Sequence, residues 1–166
     1  MSRHSPPQIE VSGAGLRIGI VHSRFNDAVV GALLGGCMAE LAVLGVDAAH
    51  IQTASVPGAL EIPIALQAMA QSNGFDALVA LGCVIRGETY HFEIVSNDAC
   101  RGVMEVSLEA GLPIANGILT VENDAQAAER ATDKGADCAR AAVEMALLCP
   151  KLRQHAQQDK TLGRFI

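Results

Sequence analysis

The sequence predicts a three-layer α/β sandwich, in which a four-stranded parallel sheet is flanked by helices on both faces. Two observations carry that prediction. Short apolar runs alternate four times with longer helical patterns, and most junctions are punctuated by glycine, proline or asparagine. Of the 166 residues, 50% are hydrophobic but only 3% are aromatic, so the layers must pack through small aliphatic side chains at close range. That length supports one full core and is too short for two.

Taken in order, residues up to Pro7 are expected to be disordered, and Gln8-Ile9-Glu10-Val11 alternates as a short strand with no local partner, suited to pairing with another subunit. The first strand of the sheet is expected over Leu16–Val21. Polar Ser23-Arg24-Phe25-Asn26 follows, then a helix from Asp27 to Leu44 closed by Gly45. Ile51–Val56 reads as the second strand. Pro57-Gly58 turns the chain into a helix from Leu60 to Ser72, ended by Asn73-Gly74.

The third strand spans Asp76 to Val84 and leads into a helix over Tyr90–Ala110, stopped by Gly111. Pro113–Thr120 supplies the fourth strand. A last helix begins at Asn123-Asp124 and continues to Leu148, with a break near Lys134-Gly135. The resulting organisation is an N-terminal arm over 1–12, one α/β domain over 13–150 and a polar tail over 151–166.

Composition narrows the chemistry. A net charge of −6 with 18% charged residues leaves no basic footprint for nucleic acid or an anionic membrane surface. There is no run of about 20 apolar residues and no signal-peptide core at Met1–Pro7, so a cytoplasmic protein is expected. Five cysteines, Cys37, Cys83, Cys100, Cys138 and Cys149, stand apart without C-x-x-C spacing. They are read as buried, reduced thiols rather than metal ligands.

Open parallel sheets bind ligands beyond the carboxyl ends of their strands, which directs attention to three loops. The third strand ends in Gly82-Cys83-Val84-Ile85-Arg86-Gly87-Glu88-Thr89-Tyr90-His91. This turn offers Thr89 and backbone N–H groups to an anion beside His91, a side chain able to transfer protons near neutral pH. Phe25 occupies the loop after the first strand, where it either staples the helix start or offers a platform to a planar ring. Glu61 lies in a first helical turn, a position the helix dipole already explains, yet it shares the edge with Phe25 and His91.

Arg86 and Glu88 read as solvated loop charges and Arg130 as an exposed helix arginine; His4, His22, His50 and His155 have no comparable setting. Gly13, Gly15 and Gly19 precede or enter a strand, so they form no dinucleotide loop, and no G-K-[ST] follows the third strand.

In their order and spacing, these residues carry a resemblance to the 6,7-dimethyl-8-ribityllumazine synthase family. The matching segments are Arg24-Phe25-Asn26, Val56-Pro57-Gly58-Ala59-Leu60-Glu61-Ile62-Pro63, the Gly82–His91 motif, Asn116-Gly117-Ile118-Leu119-Thr120, and Glu122-Asn123 followed by Gln126 and Arg130. The resemblance implies a flavodoxin-like fold and condensation of 5-amino-6-(D-ribitylamino)uracil with 3,4-dihydroxy-2-butanone 4-phosphate, without metal or cofactor. It places the pyrimidine on Phe25 and against Cys83, Val84 and Ile85, the ribityl chain at Ala59, Leu60 and Glu61, and the phosphate at Glu88, Thr89 and Arg130. His91 is the implied catalytic proton carrier, with Asn116 and Arg130 contributed by a neighbour.

A homo-oligomer built from pentamers is further implied, with the N-terminal strand added to a neighbour's sheet and riboflavin synthase as a candidate partner. Ala131-Thr132-Asp133-Lys134 is shorter than the family's usual kink between its last two helices, and no phosphate role is carried over to Lys134. Two other readings remain: an archaeal-type riboflavin synthase, and a non-catalytic flavin- or lumazine-binding shell protein.

Overall fold

Four strands, all parallel, form one sheet in the order β2-β1-β3-β4: β1 (Ile18–Ser23), β2 (Ile51–Val56), β3 (Ala77–Ile85) and β4 (Ile114–Val121). The computed structural model describes residues 10–162, with side chains through residue 154. Helices α1 (Asp27–Val43), α2 (Ile62–Gln71), α3 (His91–Ala110) and α4 (Asp124–Leu162) connect or follow the strands. Short 3-10 turns at Ala48–His50 and Ala59–Glu61 precede β2 and α2. This is the expected three-layer, flavodoxin-like arrangement.

β3 is hydrophobic on both sides because it is central. Ala77 through Cys83 are all buried, whereas β2, at an edge, is intermediate or exposed along its length. Two cores result. One joins Ile18, Ile20 and Val79 to Leu33, Cys37 and Leu41 of α1 and to Ala139 and Val143 of α4. The other joins Val21, Leu78 and Ala80 to Ile62 and Leu66 of α2 and to Ala99 and Val103 of α3. Successive residues of β1 and β3 therefore feed opposite layers, as the period-two alternation of a strand requires.

The N-terminal strand expected at 8–11 falls partly outside the described residues, and Glu10 and Val11 lie in no strand. β1 starts at Ile18 rather than Leu16. Leu16 N–H donates to the Gly13 carbonyl (3.0 Å), while Arg17 and Asp76 close the sheet's lower end, Arg17 N–H donating to the Asp76 side chain (Oδ2, 2.7 Å) and Asp76 N–H to Arg17 O (2.8 Å).

The last helix differs more. It is unbroken at Lys134-Gly135 and does not end near Leu148, continuing through Pro150 to Leu162. Gly135 marks a helix crossing: a Cβ there would lie 2.0 Å from the Leu33 carbonyl oxygen, and a Cβ on Gly36 would lie 2.2 Å from that of Thr132. Helix–helix approach this close excludes a side chain, so glycine here serves packing rather than termination. Beyond the crossing, Arg140 bonds Glu40 of α1 and Asp137, both at 2.8 Å. Past Pro150, Arg153 donates to the Gly111 carbonyl at the α3 C-terminus, where the helix dipole favours a cation.

Cys37, Cys83 and Cys138 are buried as expected, but Cys100 and Cys149 are only half-buried. Among the described residues, no helix is long and apolar enough to cross a membrane.

Candidate active site

Strand β3 outruns β1 at the carboxyl edge of the sheet. The β1–β3 register ends at His22 opposite Leu81, while the β3–β4 register continues to Ile85 opposite Val121. The step leaves a crevice at the switch point between β1 and β3, where open α/β sheets bind ligands. A cleft of about 300 Å³ occupies it, walled by Phe25 and Asn26 after β1, Gly58 to Glu61 after β2, Cys83 to Ile85 of β3, and His91 and Val95 of α3.

Phe25 projects at the cleft mouth with 72% of its surface exposed, which argues against packing as a helix-start staple. Its backbone is fixed on both sides. Arg24 N–H donates to Val56 O (2.9 Å) and Phe25 N–H to Pro57 O (3.2 Å), tying this loop to the end of β2. Asn26 then takes a left-handed conformation, φ 58°, and its side-chain Nδ2 donates to the Cys83 carbonyl at 2.9 Å.

Glu61 is held by the turn before it: Gly58 N–H donates to Glu61 Oε2 at 2.8 Å. Gly58 also leaves room, since a Cβ there would stand 3.1 Å from that oxygen and 3.5 Å from the Phe25 ring. One carboxylate oxygen is thereby anchored while the other remains available to a hydroxyl-bearing ligand.

On β3, the N–H groups of Leu78 and Arg86 donate towards β4, to Pro113 O and Val121 O at 2.9 Å each. Alternation then turns Val84's backbone into that ladder and turns Cys83 and Ile85 towards the crevice. Ile85's N–H and C=O meet no backbone partner among the described residues. The Cys83 thiol is pushed up to about 11, chiefly by burial, with Asp124 adding to the rise, and stays protonated at neutral pH.

His91 opens α3, on the cleft wall. Among the described residues, no side chain caps this 20-residue helix at its N-terminus. The backbone N–H groups of Gly87, Glu88 and Thr89 make no backbone or side-chain hydrogen bond among the described residues, and together with the first turn of α3 they form an array of free donors. Glu88 and Thr89 are exposed on this turn, just beyond the cleft lining.

Asn116 and Arg130 stand apart from the cleft of this chain. Asn116 is exposed on edge strand β4, its Oδ1 accepting from Ile118 N–H at 3.0 Å. Arg130 lies on α4, where it donates to the Gln126 carbonyl (2.9 Å) and faces Glu129 (3.6 Å).

Three lining residues escaped the sequence reading: Asn26, Gly58 and Val95. Asn26 and Gly58 sat inside segments already singled out, and an asparagine at a strand-to-helix junction is itself a signal for a left-handed residue. Val95 gave none, because a valine one turn into an amphipathic helix reads as core.

Comparison with known proteins identifies a family for the chain. A family model described as 6,7-dimethyl-8-ribityllumazine synthase matches residues 15–149. A protein of that name from Cupriavidus metallidurans is 56% identical over 159 residues, 94% of each chain. Those from Methylibium petroleiphilum and an Azoarcus species are 62% and 58% identical, covering 86% and 87% of this chain and 89% and 92% of their own.

Proposed function

From the premise that this chain belongs to the 6,7-dimethyl-8-ribityllumazine synthase family, a family of transferases of riboflavin biosynthesis, we propose that it condenses 5-amino-6-(D-ribitylamino)uracil with 3,4-dihydroxy-2-butanone 4-phosphate. The observation that carries this reading is the convergence of Phe25, Glu61, the Ile85 backbone and His91 on one cleft beside an uncapped helix N-terminus.

In this reading the pyrimidine stacks on Phe25 and exchanges hydrogen bonds with the β3 backbone at Cys83 and Ile85, with Val84 packing through its side chain. Ala59, Leu60 and Glu61 take the ribityl chain, the free carboxylate oxygen of Glu61 accepting from its hydroxyls. The phosphate sits on the N–H groups of Glu88 and Thr89 at the α3 N-terminus, where the dipole favours an anion, and the Glu88 carboxylate points away.

The uracil's 5-amino group attacks the ketone. Water leaves the carbinolamine to give an imine, and removal of the neighbouring C–H proton expels phosphate from the terminal carbon. The resulting enol becomes a ketone, the ribitylamino nitrogen attacks it to close the ring, and the carbinolamine so formed loses a second water. His91 accepts and returns protons in these steps. Because the amine is already nucleophilic, juxtaposing the two substrates is the larger part of the task.

The same reading makes the protein a cytoplasmic homo-oligomer assembled from pentamers, with Asn116 and Arg130 reaching a neighbour's cleft and Arg130 adding charge-assisted bonds to phosphate. Its support is the position of both residues away from their own cleft, the unpaired β2 edge, and the exposure of Ile64, Met104 and Leu108 along α2 and α3 (65%, 59% and 74%). The N-terminal arm would add to a neighbour's sheet, and riboflavin synthase, which consumes the product, is the proposed partner.

The test is to supply purified protein with both substrates and follow lumazine absorbance and phosphate release. Acceleration over the spontaneous condensation is expected. No acceleration overturns the reading, and conversion of lumazine alone to riboflavin would assign the chain to the archaeal-type riboflavin synthases instead.

A further inference from the structure

Arg86 ties three pieces of chain together at the start of the turn that precedes His91. Its Nε donates to Glu122 at 2.7 Å, beyond the end of β4, and its Nη1 to Glu93 in the first turn of α3. Its guanidinium also lies over the Phe92 ring, 4.1 Å from the centroid, and its backbone N–H donates to Val121 O at 2.9 Å. Glu93, held below the usual carboxylate range chiefly by its bond to Arg86, remains ionised through neutral pH.

The geometry closes a loop. Residues 87–90, which among the described residues make no backbone bonds through Gly87, Glu88 or Thr89, are gripped by a side-chain link between the residue before them and the helix after them. The Glu122 bond then fixes that closed loop to the neighbouring strand end, where Glu122 N–H is itself held by Gln126 Oε1 at 3.1 Å. A turn with free N–H groups can present them in one arrangement only if something outside the turn holds its ends, and here Arg86 does so. The planar fork and flat face of an arginine are both used, which a lysine cannot reproduce.

We propose that Arg86 is a positioning residue: clasped by Glu93, Glu122 and Phe92, it holds the 87–90 turn in the shape that receives the phosphate of the substrate, without touching that phosphate itself. This rests on the function proposed above and adds to it a specific role for a residue that does not line the cleft. A phosphate ligand and a positioning clasp predict opposite responses to removal of the carboxylates. If Arg86 were a ligand held in reserve, freeing it would tighten phosphate binding; if it is a clasp, freeing it loosens the turn.

The experiment compares Arg86→Gln, Arg86→Lys, Glu122→Ala and Glu93→Ala with the unaltered protein. It measures KM for each substrate, inhibition by inorganic phosphate, and thermal unfolding. All four variants are expected to raise KM for the butanone phosphate and the inhibition constant of inorganic phosphate, by about tenfold for Arg86→Gln and about threefold for the others, as misplacement of a binding turn does. KM for the ribitylaminouracil is expected to stay within about twofold, because Phe25 and Glu61 are held by other bonds.

A lowered phosphate constant in Glu122→Ala or Glu93→Ala, full rescue by Arg86→Lys, or an equal rise in both KM values would overturn the clasp. Glu122 and Glu93 are surface side chains, so the carboxylate variants keep the test valid if Arg86→Gln folds poorly. An inactive unaltered protein would instead sink the proposed function, and an active one with unchanged constants in every variant would sink this inference alone.

Discussion

Asn26 Nδ2 and the Cys83 carbonyl, 2.9 Å apart, join the loop that carries Phe25 to the strand end that leads to His91. The bond spans two crossovers of the chain and makes one rigid rim of two separate loops. It also occupies part of the Cys83 carbonyl, so Ile85 has the freer backbone at the crevice.

Replacing Asn26 separates the bond from the backbone conformation that accompanies it. Asn26→Gly keeps the positive φ at no steric cost but removes the amide, and it is expected to raise KM for the ribitylaminouracil about three- to tenfold, the worth of one hydrogen bond. Asn26→Ala adds about 1–2 kcal/mol of destabilisation because its Cβ resists the left-handed region. Equal unfolding midpoints for the two variants would contradict the strain, and an unchanged KM would contradict the role of the bond.

His91 is expected to be helpful rather than indispensable. With the amine already nucleophilic, a His91→Ala protein should keep measurable turnover, slowed by about 10²-fold, the low end of what proton transfer contributes. Single-turnover assays with substrate binding monitored separately check this. An undetectable rate in a folded protein with intact binding would show proton transfer to dominate over juxtaposition.

The α1–α4 crossing makes a prediction about stability alone. Gly135→Ala drives a methyl group against the Leu33 carbonyl and is expected to cost about 1–3 kcal/mol, as overpacking does. Gly31→Ala, in α1 with open space around it, is expected to gain about 0.5–1 kcal/mol from helix propensity. Urea unfolding of the two proteins should move in opposite directions; matching midpoints would mean that the helices part easily at the crossing.

Buried thiols set an alkaline limit. Burial, reinforced by their mutual influence at Cys37, pushes Cys37 up to about 12, and burial likewise brings Cys138 to about 11 despite the opposing charge of Lys134, from a starting value of 9.0. The unfolded chain thus releases these protons first. The native state holds more protons between pH 9 and the folded values, so the thiols' contribution to stability is complete below pH 9 and is lost as pH rises towards 11 and 12. A Cys37→Ala/Cys138→Ala protein should lose stability less steeply over that interval than its parent in urea titrations at successive pH values. Parallel slopes would exclude the two thiols as the cause.

Much of this was legible in the sequence because it is local. Ile51–Val56 occupies the strand read for it, and α3 starts and ends within one residue of expectation, since β-branched runs, Gly111 and the junction glycines act through nearest neighbours. The edge shared by Phe25, Glu61 and His91 was likewise readable, because parallel strands joined by helices must bring their carboxyl ends to the same side of the sheet.

What the sequence could not decide depends on approach between distant segments. Gly135 looks like a helix break until α1 is seen pressing its backbone against it, and Pro150 like an end until Arg153 is found on the α3 terminus. Arg86, read as a solvated charge, acquires a role only when Glu93, Glu122 and Phe92 converge on it from two other elements. Composition and periodicity fix which faces are apolar and where the chain turns. Tertiary packing alone fixes which backbone must come within a methyl group of another, and which charges then find their partners, because those distances depend on the whole sheet being assembled.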